Sequence, residues 1–195
     1  GDVYKRQFLA GDSLATEFEH KTAYVLFPNP VDRLEIALGK FLASLAIVSS
    51  LSAISYACAT LFCLPYYGEL PPRLAHSFGI SLLFAACVIG ISMLFSAALK
   101  RGLLASIIPF LLFFIVFPME TGIVGGMAGV EPVYDPSYQA DAMSSILIEP
   151  PPPRHEVRSY GGMTIHTWTP DPAIAALVLA AYAIASLALA VLIFR

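Results

Sequence analysis

Four apolar runs, separated by polar or charged intervals, set the pattern of this chain. Three of them are long enough to cross a bilayer, which takes about 20 mostly apolar residues: Phe41–Leu64, Phe78–Leu99 and Ala173–Phe194. None of the three contains Asp, Glu, Lys, Arg or His. We expect Pro65 to end the first helix, because proline lacks the backbone donor that a helix needs. The pattern predicts an all-α, polytopic transmembrane helical bundle.

The remaining run, Leu103–Phe117, is shorter and contains Pro109. It would reach only about 22 Å as a helix at 1.5 Å per residue. Two readings stay open. Either the helix extends toward Val124 with Glu120 at the headgroup level, or the segment is kinked or partly re-entrant.

The interval between this run and the last one ends in a predicted β-hairpin. Pro150–Pro153 forms a stiff polyproline spacer. The segments His155–Tyr160 and Met163–Trp168 then alternate around a Gly-Gly pair, which is typical of a two-residue turn. We therefore expect a small ordered cap on one mouth of the bundle.

In that register His155 and His166 lie diagonally on one face of the hairpin. They are weak candidates for a shared metal ion, since two ligands without a third are poor evidence for a site. Glu120, beside Pro118 and several glycines, is a candidate outer gate. The alternative for Glu120 is a solvated charge at the membrane interface.

Composition agrees with a membrane protein. The chain is 57% hydrophobic and 13% charged, against about 25% charged residues in soluble domains. A net charge of −3 does not suggest a nucleic-acid partner. The three cysteines lie in apolar runs without a CxxC pair, which indicates small hydrophobic side chains rather than a redox or metal site.

Basic residues orient the predicted spans. They cluster before the first span, between the second and third, and after the last: Lys5, Arg6, Lys21, Arg33, Lys40, Lys100, Arg101 and Arg195. Cytoplasmic loops carry the excess of Lys and Arg. We therefore expect a multi-pass protein of the plasma membrane, with both ends cytoplasmic and residues 119–171 outside.

The segment before the first span combines charge with a proline break. Glu17 and Lys21 stand at a favourable ion-pair spacing in a short amphipathic helix. Phe27-Pro-Asn-Pro30 ends that helix, and Asp32 with Glu35 resembles a capping box that starts the next one. The pattern predicts a surface helix, a rigid turn, and a helix that rises without a break into the bilayer.

Three pieces of this segment resemble the cytoplasmic motif of ABC-2 type transporter permeases. They are Gly11-Asp-Ser-Leu-Ala-Thr-Glu-Phe-Glu-His-Lys-Thr22, Phe27-Pro-Asn-Pro-Val-Asp-Arg33 and Gly39-Lys-Phe-Leu-Ala-Ser44. The Phe-Pro-Asn-Pro form is similar to the archaeal branch of that family.

The resemblance implies a permease that pairs with a second permease copy and with ABC ATP-binding subunits. The segment would match the coupling helix that docks on the ATPase. The implied coupling residues are Glu17, Glu19, Lys21, Thr22, Pro28, Pro30, Arg33 and Lys40. The chain has no Gly-x-x-x-x-Gly-Lys-[Ser/Thr] loop, so ATP and Mg²⁺ would bind the partner, and this chain would bind no cofactor.

The chain departs from the family pattern at its start. Members usually have about six spans, roughly two of them before this motif, whereas only Gly1–Ala10 precedes it here. Gly1–Gln7 resembles translated adaptor sequence, so we expect the sequence to be N-terminally truncated.

The organisation expected from these observations has five parts: a leader over 1–10, a coupling segment over 11–40, three spans over 41–118, an extracytoplasmic loop over 119–171 and the last span over 172–195. The function expected is a permease subunit that exports a substrate by alternating access and is not itself an enzyme. Two other classes stay open. One is a membrane scaffold that docks a cytoplasmic partner, and the other is a membrane enzyme that uses the hairpin histidines.

Overall fold

A computed structural model describes residues 33–68, 73–99, 102–160 and 163–193. Within these ranges four helices are long and apolar enough to cross a membrane. Apart from one two-stranded sheet, the described regular structure is helical. The predicted polytopic all-α bundle is therefore confirmed.

The first span is α1, Arg33–Tyr67, and it runs unbroken through Lys40. The prediction that Pro65 ends it was wrong, because the helix continues to Tyr67. Pro65 lies in the last turn, so its missing N–H costs the helix only one backbone hydrogen bond. Gly68 ends the helix with a left-handed φ of 71°, and its N–H donates to the Leu64 carbonyl at 3.0 Å.

The second span is α2, Leu74–Leu99, and the last is α7, Pro172–Ile193. The two helices pack closely at Gly90. A Cβ atom added there would lie 2.3 Å from Ser186 Oγ and 3.2 Å from the Ala183 carbonyl oxygen. Small residues at this crossing let the two backbones approach, as is common between membrane helices.

The third span is one helical path with two wider stretches. It begins as α3, Gly102–Leu111, passes through the π-helical stretch Leu112–Val116 and the short α4, Phe117–Glu120, and ends in a second π-helical stretch, Thr121–Met127. At the first junction the Phe117 N–H donates to the Leu112 carbonyl, five residues back. Leu103–Met127 is thus long enough to span, and it passes the boundary expected at residue 118.

Residues 128–160 and 163–171 form a cap over one end of the bundle. The cap holds two short helices, α5, Pro136–Ala140, and α6, Ala142–Ser145. The strands β1, His155–Tyr160, and β2, Met163–Trp168, follow. They pair antiparallel with His155 opposite Trp168 and Val157 opposite His166, which confirms the predicted hairpin and its register.

Two apolar clusters hold the bundle together. The larger one lies toward the cap and joins α2, the third span, α6 and α7; its buried residues are Ile80, Cys87, Ile91, Phe113, Ala142, Ala175 and Leu179. The smaller one lies toward the opposite end, where Ala37 of α1 packs with Met93 and Ala190. Helix α1 is the least enclosed of the four, and its exposed large apolar residues include Leu42, Ile47, Leu51, Ile54, Leu61 and Phe62.

Candidate functional site

The residues implicated in coupling fall mostly before the described part of the chain. Glu17, Glu19, Lys21, Thr22, Pro28 and Pro30 all lie outside the described residues. Arg33 is the first residue of α1, and Lys40 lies two turns further along the same helix. The two cations at the base of the first span are thus joined by continuous helix, as the sequence predicted.

The base of α1 is fixed by packing. Ala37 is 2% exposed and contacts the cluster that contains Met93 of α2 and Ala190 of α7. From Arg33 to Tyr67 the helix is about 50 Å long at 1.5 Å per residue. A displacement at Arg33 would therefore be carried along a single rod that already touches two other spans.

Near its other end α1 is tied to α2 and to the cap through Ser77, which is fully buried. The Ser77 hydroxyl donates to the Met143 carbonyl at 2.7 Å. That leaves the Tyr56 hydroxyl of α1 as the donor to Ser77, at 2.8 Å. Tyr56 also packs edge-on against Phe78, with ring centroids 5.3 Å apart. One buried serine thus connects α1, α2 and α6.

Glu120, the candidate gate, is held by a residue of the cap. The Tyr134 hydroxyl donates to Glu120 Oε1 at 2.6 Å. This bond, more than any other influence, raises the pKa of the Tyr134 hydroxyl. Glu120 does not end the span, because the helical path continues to Met127.

The next residue, Thr121, is bonded to the cap as well. Its hydroxyl donates to Asp135, which is fully buried and also accepts the Ser137 N–H at 2.7 Å, so that it caps α5. Burial raises the pKa of the Asp135 carboxyl, and the hydrogen bonds from Thr121 and Ser137 offset part of that rise. The end of the third span and the cap therefore form one hydrogen-bonded unit.

A second polar group joins the cap to the start of the hairpin. The buried Tyr138 donates from its hydroxyl to Glu131 Oε1 at 3.0 Å, and Arg154 Nη2 lies 3.8 Å from the same oxygen. Burial first, and the bond to Glu131 second, raise the pKa of Tyr138. The arrangement holds the polyproline segment before Arg154 against the rest of the cap.

The predicted histidine pair is brought together. His155 Nε2 and His166 Nδ1 are 3.0 Å apart, so the two rings share a hydrogen bond. His155 also stacks on Trp168, with ring centroids 3.9 Å apart. Within the described ranges no group of three or more His, Cys, Asp or Glu side chains is placed to hold a metal ion. A metal at this pair stays a prediction.

The hairpin docks on the second π-helical stretch. Trp168 Nε1 donates to the Gly125 carbonyl at 3.2 Å. The ring of His166 covers Gly129, which has a φ of 68° and would place an added Cβ 3.2 Å from the ring. Glycine is required at Gly129 both by its backbone conformation and by the space that the ring takes.

Sequence reasoning missed the roles of Thr121, Asp135 and Ser77. A local signal for Asp135 was present, since Asp135-Pro136-Ser137 places a capping side chain before a proline at the first helical position. Ser77 gave no such signal, because its partners Tyr56 and Met143 are 21 and 66 residues away.

A comparison with protein families gives a match over nearly the whole chain. The model of the family described as "ABC-2 family transporter protein" matches residues 8–195. The chain belongs to this family. The match extends over the charged segment before α1, all four spans and the cap, and it confirms the resemblance seen in the sequence. A comparison with curated protein sequences gives no match.

Membership establishes the general activity of this ABC-2 permease. It is a membrane subunit of an ABC transporter, and the four apolar helices agree with a multi-pass protein. The family is a transport component rather than a catalytic one. The two other classes considered from the sequence, a membrane scaffold and an enzyme that uses the hairpin histidines, are not tested by the family match.

Proposed function

We propose that this ABC-2 permease exports its substrate by alternating access, driven by ATP and Mg²⁺ bound to a separate ATPase subunit. The segment from Glu17 to Arg33 docks on that subunit. The observation that carries the proposal is the family match over residues 8–195, which takes in this segment together with all four spans. The chain's lack of an ATP-binding loop agrees with a separate source of energy.

The described contacts supply a route for the coupling. Helix α1 begins at Arg33 and reaches Ser77 through Tyr56, so a push on its base moves a rod that is bonded to α2 and the cap. A rigid element with discrete contacts at both ends is what a two-state transporter needs. The proposed role of Arg33 and Lys40 is to anchor that rod at the cytoplasmic surface.

At the other end we propose that Glu120 takes part in an outer gate. Its carboxylate accepts the Tyr134 hydroxyl, so opening would exchange one charge-assisted hydrogen bond for water. The cap would then be extracytoplasmic and both chain ends cytoplasmic, in agreement with the distribution of Lys and Arg. The proposed assembly contains a second permease copy in the plasma membrane.

The docking role is tested by charge reversal in the full transporter. The permease is co-expressed with its ATPase, and co-purification is measured for Glu17→Lys and Arg33→Glu. Both variants should lose most of the bound ATPase. Glu156→Lys, which makes the same charge change as Glu17→Lys but on the hairpin, should retain it.

Two outcomes would contradict the proposal. Wild-type amounts of ATPase on both Glu17→Lys and Arg33→Glu would remove the docking assignment. ATPase that binds normally to the wild-type permease, but hydrolyses ATP at the same rate with and without it, would instead indicate a scaffold.

A further inference from the structure

A cavity of about 190 Å³ opens beside the cap, where four parts of the chain meet. Arg73 contributes from the start of α2 and Ser145 from the end of α6. Arg154 follows the polyproline segment, and Asp171 precedes α7. Four prolines complete the wall and limit how far it can deform.

The hairpin side of this cavity is pinned by backbone bonds. The Thr169 N–H donates to the Arg154 carbonyl at 3.0 Å, and the Thr169 hydroxyl donates to the Pro153 carbonyl at 3.0 Å. Asp171 accepts the Ala173 N–H at 2.9 Å and so caps α7. These bonds hold the backbone at Arg154 in place beside the start of α7.

Positive charge dominates the described lining, with two arginines against one aspartate. Asp171 is engaged in the helix cap. Arg154 is ion-paired with Glu131 at 3.8 Å, a long contact that leaves the arginine side chain 56% exposed. Arg73 directly precedes α2, whose first turn carries no acidic residue, so the positive end of the helix dipole adds to its charge. The cavity is suited to an anion.

Depth in the membrane narrows the choice of anion. The cavity lies where α2 and α7 begin, at Leu74 and Pro172, which is where hydrocarbon gives way to headgroups. Lipid phosphates are concentrated at this level. The planar fork of an arginine matches two phosphate oxygens at once.

An apolar groove at hydrocarbon depth favours a lipid over a free phosphate. A cavity of about 380 Å³ lies between α1 and α2, and its lining includes Val48, Phe84 and Val88 of these helices and Met143 of α6. Arg73, Phe84 and Val88 fall on one side of α2, given its periodicity. An acyl chain of a lipid whose phosphate is held at the arginines would run down this side of α2 toward the groove.

We propose that Arg73 and Arg154 bind the phosphate of a membrane lipid that is a resident constituent of the transporter rather than its cargo. The lipid phosphate would bridge the start of α2 to the hairpin strand that follows Arg154. Its binding would stabilise the cap in the described position, because the two arginines belong to elements that lie far apart in the chain, the start of α2 and the start of the hairpin.

The test uses the full transporter complex purified in detergent and measures thermal unfolding as phosphatidylglycerol is added. Parallel titrations use diacylglycerol, which lacks the phosphate, and inorganic phosphate, which lacks the chains. Variants are Arg73→Gln and Arg154→Gln. The control is Arg158→Gln, which removes an exposed arginine of the same hairpin that is paired with Glu156 at 2.9 Å.

We expect phosphatidylglycerol to raise the melting temperature of the wild type and of Arg158→Gln. Its apparent affinity should fall about tenfold in each of the other two variants, as for the loss of one charge-assisted hydrogen bond. Diacylglycerol should have little effect. An unchanged affinity in both Arg73→Gln and Arg154→Gln would overturn the site, and equal stabilisation by inorganic phosphate at the same concentration would overturn the lipid as its occupant.

A second measurement uses only the wild-type complex, so it does not depend on whether the variants assemble. Native mass spectrometry of the wild-type complex counts bound phosphatidylglycerol in low and high salt. A site built on two partly exposed arginines should lose occupancy as salt screens them. Retention that is independent of salt would contradict binding through the arginines.

Discussion

Gly90 shows how a single missing side chain can fix the distance between two spans. A Cβ atom at this position would meet both the Ser186 hydroxyl and the Ala183 carbonyl oxygen, so α2 and α7 can approach only while position 90 has none. Ser186 occupies the space instead, and its hydroxyl donates back to the Tyr182 carbonyl at 2.6 Å. The contact joins the two helices that share the most extensive packing in the bundle.

Gly90→Ala should destabilise the permease by about 1–3 kcal/mol, the usual cost of overpacking a close contact. Ser186→Ala in the same chain should recover part of the loss, because it removes the hydroxyl at 2.3 Å but leaves the Ala183 oxygen at 3.2 Å. Thermal unfolding in detergent measures both effects.

Gly79→Ala is the matched control, since an added Cβ at Gly79 in the same helix meets nothing within 4 Å. It should be neutral or stabilising, because alanine is the better helix former. Equal destabilisation by the two glycine substitutions would contradict a role for the helix crossing.

Asp135 makes stability depend on pH in a defined direction. Its raised pKa means that the folded state holds the proton more tightly than the unfolded state, whose ordinary value is 3.8. The contribution of Asp135 to stability is therefore greatest at low pH and is lost as pH rises from about 4 through the raised pKa.

Asp135→Asn should remove this part of the pH profile. We expect the difference in unfolding free energy between wild type and variant to change by up to about 1.4 kcal/mol per pH unit within that window. Thermal unfolding from pH 4 to 8 tests it, with Glu156→Gln on the hairpin as the control. Parallel profiles for wild type and Asp135→Asn would contradict the assignment.

At the scale of elements, the hairpin depends on what it docks against. Two strands alone are marginally stable in water. Here Trp168 bonds to Gly125 of the second π-helical stretch, and the His166 ring covers Gly129. The side chains of Trp168 and His166 thus hold the hairpin against the end of the third span and the glycine that follows it.

Trp168→Phe keeps an aromatic ring but loses the indole donor, so it should loosen the docking without unfolding the bundle. We expect faster amide hydrogen exchange in β1 and β2, by about fivefold for a bond worth roughly 1 kcal/mol. Ile165→Val, at an exposed position on the opposite face, should leave exchange unchanged. Unaltered exchange in Trp168→Phe would show that the indole bond does not hold the hairpin.

For the whole molecule, the alternation of spans places the cap at one membrane face and the end of α2, with the start of α3, at the other. In a background without the three native cysteines, Ser159→Cys should react with a membrane-impermeant maleimide on intact cells. Lys100→Cys should react only after permeabilisation, because its loop carries the basic residues expected inside. The reverse pattern would invert the proposed orientation and the direction of export.

How far the fold could be predicted from the sequence differs from one element to the next. The hairpin strands were predicted to the residue, because period-two alternation and a Gly-Gly turn are local signals. The end of α1 was not, since Pro65 forbids one hydrogen bond but does not forbid two further residues before Gly68. The length of the third span was left open because π-helical turns have no clear sequence signal.

Sequence pattern is enough to identify a multi-pass helical membrane protein and its resemblance to ABC-2 permeases. Uncharged apolar runs and a contiguous motif are local properties, so they can be recognised from the sequence without knowledge of the fold. Three other features depend on the folded chain: Ser77 connects three elements, Asp135 is buried beside Thr121, and Arg73 and Arg154 line one cavity. Each of these joins residues from distant parts of the chain, and only packing brings their side chains together.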